Sequence, residues 1–184
     1  MTKDLFWQVI AEARKEATHD DGMYDALMHK LTPLSNADIV RWGQIFDQYH
    51  KLSYKDSLWA AAYVINGGCS DDGFDYFRGW LIAQGKDVYL AALQNPDSLA
   101  TPEVKECETE LEDMLSVSAD AFFEKNDMEF DYDAYDAECT KHPLAPQEVA
   151  EIQGEVIYAE GVGDWGQDEE LLRKIVPRLW DMYC

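Results

Sequence analysis

Basic residues are scarce in this chain. Lysine and arginine together number 15 against 37 aspartates and glutamates, leaving a formal net charge of −22 and a pI near 4.3. A field of that sign repels nucleic acid and anionic lipid, so neither is an expected partner. It attracts a basic protein and speeds the encounter. The plainer account is that acidic charge serves solubility alone.

Long apolar runs are also missing. None approaches the ~20 residues that span a bilayer. Met1-Thr2-Lys3-Asp4 leads into an amphipathic segment, not an apolar signal region. The 4 cysteines, Cys69, Cys107, Cys139 and Cys184, are far apart and form no C-x-x-C pair, which excludes zinc-ribbon and redox motifs. A cytoplasmic protein with reduced thiols is expected. There is no P-loop, dinucleotide fingerprint, G-x-S-x-G or H-E-x-x-H, and no cofactor or metal site is expected. Period-two alternation never persists, so no sheet is expected.

What the chain has is helical spacing. Hydrophobic residues make up 47% of 184 residues, enough for a core without disulfides. Thr2 caps a first helix to about Ala17, with Leu5, Phe6, Val9, Ile10 and Ala13 as its stripe. After the break at His19-Asp20-Asp21-Gly22, Met23, Tyr24, Leu27, Met28 and Leu31 mark a second helix. Ser35-Asn36-Ala37-Asp38 is close to a capping box and opens a third. Ile39, Trp42, Ile45, Phe46 and Tyr49 form its buried stripe, with Arg41, Gln44, Asp47 and Gln48 on the wet face.

Lys55 to Ile65 is apolar nearly all round, as a central helix is. Asn66-Gly67-Gly68 stops it. Ser70 or Asp71 then caps a fifth helix with Phe74, Phe77, Arg78, Trp80 and Leu81. A short sixth ends at Asn95-Pro96. Beyond it, a long helix is expected from about Pro102 to Lys125. The acid–aromatic stretch Asn126 to Asp136 reads as an ordered surface loop. Pro143 and Pro146 bracket a turn before Gln147 to Val156, and Gly161 to Gly166 form a loop. Asp168 caps a last helix that Pro177 should kink or break.

Two stretches could carry chemistry. In Gly67-Gly68-Cys69-Ser70-Asp71-Asp72, a cysteine near a helix N-terminus has the setting of a thiolate nucleophile. Adjacent carboxylates oppose that, and none of His19, His29, His50 and His142 is spaced to serve as its base. The structural account is a helix stop joined to a helix start. Asp71, Asp72 and Asp75 lack the EF-hand spacing, and Asp127 to Asp136 shows no fixed ligand pattern. That second run suits a protein contact better, since exposed aromatics anchor interfaces and acids around them orient the partner. Phe130, Tyr132 and Tyr135 would equally well pack back onto the core.

Several strings together resemble a known family: Phe6-Trp7, Leu58-Trp59-Ala60-Ala61-Ala62-Tyr63, Gly67 to Phe74, Phe77-Arg78-Gly79-Trp80-Leu81-Ile82, Gln84-Gly85-Lys86 and Asn95 to Ala100. They resemble the bacterial proteins grouped as domain of unknown function 4240, over roughly Lys3 to Ala100, with a weaker echo at Pro177-Arg178-Leu179. The family supplies no catalytic residues to carry over. The resemblance implies immunity proteins, some of whose partners would be interbacterial toxins that ADP-ribosylate a translation factor.

The expectation is therefore an all-α, single compact domain over residues 1–184, built on a central, nearly fully buried helix pair. Residues 1–100 would be the family-like core and 101–184 an acidic helical C-terminal part. The function expected is an immunity protein that occludes a basic cognate toxin about one to one. Its contact residues would be Asp127, Glu129, Phe130, Asp131, Tyr132, Asp133, Tyr135 and Asp136, with Asp164 and Trp165 second. Two alternatives stay open: an enzyme that reverses a modification or uses the Cys69–Asp72 turn, and an acidic regulatory module with no toxin partner.

Overall fold

Helix starts in this chain are fixed by side-chain oxygens. The computed structural model describes residues 1–17, 19–160, 165, 166 and 168–184, leaving aside the side chain of Asp21. Among them are eleven α-helices and no strand. Helix α1 (Lys3–Glu16) is capped by Thr2, which accepts from the Leu5 N–H, and buries Phe6, Trp7, Ile10 and Ala13. Trp7 takes the place expected for Leu5, which is exposed. Helix α2 (Met23–Leu31) follows a short 3-10 turn at Asp20–Gly22. Helix α3 (Asn36–Leu52) begins as expected, with Ser35 Oγ accepting from the Asp38 N–H at 3.1 Å. All five residues of its expected stripe are buried.

The central pair is α4 (Asp56–Ile65) and α5 (Asp71–Ala83). Helix α4 buries Leu58, Ala60, Ala61, Ala62, Val64 and Ile65. Gly67 and Gly68 reverse the chain with φ of +65° and +136°, values only glycine takes without strain. Ser70 then caps α5 through the Gly73 N–H at 3.1 Å. Phe74 stacks on Trp59 at 4.7 Å, which locks the two helices together.

Arg78 of α5 is only 4% exposed. A buried charge is tolerable only when its donors are matched. Arg78 donates to the His50 carbonyl at 2.7 Å and to the Phe74 carbonyl at 3.3 Å, and pairs with Asp75. It also donates to His50 Nδ1 at 3.3 Å, while His50 Nε2 donates to the Asp75 carbonyl at 3.1 Å. This arrangement needs a neutral imidazole. Burial, then Arg78, pushes the His50 pKa down to about 3.

Helix α6 (Lys86–Gln94) and a 3-10 turn at Pro96–Leu99 complete this half. The long helix expected from Pro102 is not formed. Residues 101–111 are irregular, a 3-10 turn spans Glu112–Leu115, and α7 covers only Val117–Lys125. The reason is tertiary. The Cys107 N–H goes to the Ile65 carbonyl and the Leu111 N–H to the Tyr76 carbonyl, so these donors serve α4 and α5 instead of a local ladder. Gly79 permits the approach: a Cβ there would lie 2.9 Å from the Leu111 carbonyl oxygen.

The rest of the chain wraps this core as α8 (Tyr132–Lys141), α9 (Pro146–Gln153), α10 (Glu169–Ile175) and α11 (Pro177–Tyr183). The break at Pro177 is as expected, with Val176 leaving helical geometry and Pro177 opening α11. Part of the wet face expected on α3 is instead a docking face. Arg41 donates to the Pro143 carbonyl at 3.0 Å and pairs with Glu148, and Gln44 bonds Cys139 O and Leu144 N. Glu155 accepts from Lys3, Lys86 and Tyr49, which clasps the segment after α9 onto α1, α3 and α6. Burial works against its ionisation, but those three bonds win and hold its pKa below the ordinary value.

Candidate functional site

The largest concavity described, about 870 Å³, lies where the acid–aromatic stretch meets α2 and α7. It is made by a chain reversal. Asp127 stands in the left-handed region at φ +51°. The Asp127 N–H bonds Glu124 O and the Met128 N–H bonds Phe123 O, a Schellman stop of α7. The reversal throws Glu129 and Phe130 outward along the groove. Asp131 then restarts helix, its Oδ1 accepting from the Ala134 N–H at 3.0 Å. The stretch expected to be a loop is therefore a helix stop followed by a helix start: the Asp that looked like part of an alternation is a cap.

Phe123, nearly fully buried, is the floor. Phe130 and Tyr132 stand at 85° and 88° to its ring plane, 5.9 and 5.3 Å away. Phe130 is 77% exposed and Tyr132 53%, high for rings of that size. Tyr24 and Met28 of α2 also line the groove. Asp120 is held between two hydroxyls: Ser116 Oγ donates to its Oδ2 at 2.7 Å and Tyr24 Oη at 3.2 Å. Burial and this carboxylate push the Tyr24 pKa up to about 12, so the phenol stays a donor. Glu124 and Glu129 are exposed at the mouth, and no lysine or arginine lines the groove.

The expected contact residues therefore divide. Glu129, Phe130 and Tyr132 line the groove, with Asp131, Asp133 and Asp136 exposed nearby on or before α8. Asp127 serves the turn. Tyr135 points the other way. It packs against Gly43 and bonds Ser118 Oγ at 2.8 Å. Trp165 is 9% exposed, packs on Tyr63 and donates to Asp56 O at 3.0 Å, far from the groove in its contacts. Asp164 lies outside the described residues. The sequence reading missed Tyr24, Met28, Ser116, Asp120, Phe123 and Glu124. Tyr24 and Met28 share the spacing of the α2 core stripe, so periodicity gives no sign that they face a groove.

The Cys69 turn lacks the arrangement of a nucleophile. Burial, then Glu110, pushes the thiol pKa up to about 12, and the Sγ contacts the Ser70 carbonyl at 3.6 Å. Among the described residues all four cysteines are free, no three His, Cys, Asp or Glu are placed to hold a metal, and no helix is long and apolar enough to cross a membrane.

Residues 1–124 match the model of a protein family described as of unknown function, DUF4240. The chain belongs to this family. No curated protein and no solved structure matches it. The DUF4240 match runs past Ala100 to Glu124, so it takes in α7 and the floor of the groove. Tyr24, Asp120 and Phe123 lie inside the DUF4240 span, and Glu129, Phe130 and Tyr132 lie beyond it.

Proposed function

We propose that the protein acts by binding, as an immunity protein that occludes the active site of a basic cognate toxin about one to one. The observation that carries this is the groove itself: exposed aromatic rings on an apolar floor, with carboxylates at its wall and mouth and no lysine or arginine among the described residues lining it. Exposed rings supply buried area on association, and the carboxylates choose the sign of the partner. A net charge of −22 adds long-range attraction to the same partner. The resemblance of some members of the family to immunity proteins suggests the toxin, an ADP-ribosyltransferase among the candidates.

The test is titration against a basic toxin encoded beside the gene, scored by protection of the toxin's target. A stoichiometric inhibitor protects at about one molecule per toxin. Protection at far lower ratios would instead make the protein an enzyme. Phe130→Ser with Glu129→Lys should abolish protection while the helical circular-dichroism spectrum is retained. Full protection by that variant would move the interface elsewhere.

A further inference from the structure

The groove is built for one kind of basic group. We infer that it seats the guanidinium of a partner arginine against Asp120, in preference to a lysine ammonium. This rests on the binding role proposed above and names its chemistry. Asp120 is a fixed acceptor: two hydroxyls hold Oδ2 and leave Oδ1 without a donor from the described residues. Rings line the same groove, Tyr24 from α2 bonded to Asp120 and Tyr132 from the start of α8 set edge-on to Phe123.

A guanidinium is flat, weakly hydrated and able to donate to the open Oδ1 while its faces lie on rings. An ammonium is compact and strongly hydrated, and loses more on entering an apolar-floored slot. Cation–π attraction adds to the preference. Glu124 and Glu129 at the mouth attract either cation, so they set affinity without choosing between them. The choice is made at the floor. Met28 and Met128 adapt to the aliphatic part of the side chain. The volume of about 870 Å³ exceeds one side chain, so the arginine arrives on a segment of the partner.

The position of these residues adds a division of labour. The arginine seat falls within the family span and the rim, Glu129, Phe130 and Tyr132, outside it. The seat would recognise a basic group and the rim would choose which protein carries it.

The experiment is a titration of the full chain with hexa-arginine and with hexa-lysine at physiological salt, followed by NMR. Hexa-arginine should shift the resonances of Tyr24, Phe123 and Tyr132 at a concentration on the order of ten-fold below hexa-lysine. Asp120→Asn should remove that difference by weakening hexa-arginine alone. Should Asp120→Asn fail to fold, Tyr132→Leu removes an exposed ring of the groove, leaves Asp120 in place and should shrink the same difference. Equal binding of the two peptides, or shifts spread evenly over the acidic surface, would overturn the inference. The toxin titration separates the two claims: a toxin that binds through the groove while the peptides do not differ sinks the arginine seat alone, and a toxin that ignores the groove sinks the binding role.

Discussion

Helices α5 and α8 are of similar length and are held in opposite ways. Helix α5 buries Phe74, Phe77, Trp80, Leu81 and Ile82 along with Arg78, whereas α8 fully buries no residue. The contrast extends to the regions around them. In the family span, α1 to α7 interlock through aromatic rings such as Phe6, Trp7, Trp42, Tyr49 and Tyr89. Beyond residue 124, helices α9, α10 and α11 each bury a single residue: Ile152, Leu172 and Leu179. That outer belt packs a few apolar side chains on the core, Trp165 and Val176 among them, and adds hydrogen bonds to it. Asp97 caps α11 at 2.9 and 3.0 Å, Tyr183 reaches the Val104 carbonyl at 2.7 Å, and Ala159 N bonds Leu93 O at 2.9 Å. Hydrophobic interlocking is cooperative and unforgiving; polar tethers break one at a time. A belt of the second kind can vary its surface without endangering the fold, and the groove rim sits where the belt begins.

The largest effect expected on that comparison comes from the core. Phe74→Ala removes a ring stacked on Trp59 and lying under the Arg78 guanidinium at 5.0 Å. The loss should be about 3–5 kcal/mol, the range for a buried Phe truncated to Ala. Urea unfolding should show one transition moved to lower concentration. Two separated transitions would mean that core and belt unfold independently.

Acid should act on the core next. Folded, His50 stays neutral down to about pH 3; unfolded, it takes a proton near 6.5. Between those values the unfolded chain binds more protons, so stability falls as pH drops below 6.5. One such group contributes at most about 1.4 kcal/mol per pH unit. Above about pH 5 the carboxylates with lowered pKa, Glu155 and Asp38 among them, add little, because they lose their contribution only below their ordinary values, while burial raises the Asp47 pKa and so opposes the His50 slope. His50→Gln keeps a donor and an acceptor without titrating and should flatten the stability profile from pH 6.5 to 5. An unchanged slope would place the acid sensitivity elsewhere.

The same contrast explains what could be read in advance. Caps at Thr2, Ser35 and Ser70, the glycine stop and the break at Pro177 are local chemistry, and each stands in the structure where the sequence placed it. The all-round apolarity of residues 55–65 marked the centre correctly. Residues 102–111 misled because the helical spacing from Leu111 to Phe123 invites extension back over them, while the Cys107 and Leu111 N–H groups are spent on Ile65 and Tyr76, partners no local rule can supply. The groove misled in a different way. Tyr132 and Tyr135 are three residues apart in one acidic run, yet one faces solvent and the other Ser118. Alternation with acids describes both equally, and only the direction of a helix started by Asp131 separates them.

The smallest effect should be the most local, and it tests how the belt is attached. Gly43 sits in the middle of α3, where alanine ordinarily gains about 1 kcal/mol through helix propensity. Here a Cβ would collide with Tyr135 Oη and Ser118 Oγ. Ser118 Oγ donates to the Ile39 carbonyl at 2.9 Å, and Ser118 Cβ would itself lie 2.9 Å from the added carbon, so both Ser118 and Tyr135 must give. Gly43→Ala should therefore cost modest stability, an overpacking loss of about 1–3 kcal/mol only partly offset by the propensity gain. Its effect should appear in α8, whose amides at 132–141 should exchange faster while those of α4 and α5 do not change. Tyr135→Phe removes the colliding hydroxyl at the cost of one hydrogen bond, about 1 kcal/mol. Combined with Gly43→Ala it should restore part of the α8 protection, the Ser118 contact remaining, so the pair should be non-additive as residues in contact are. Additive effects, or faster exchange spreading into α5, would show that α8 is part of the core after all and that the groove rim cannot move without it.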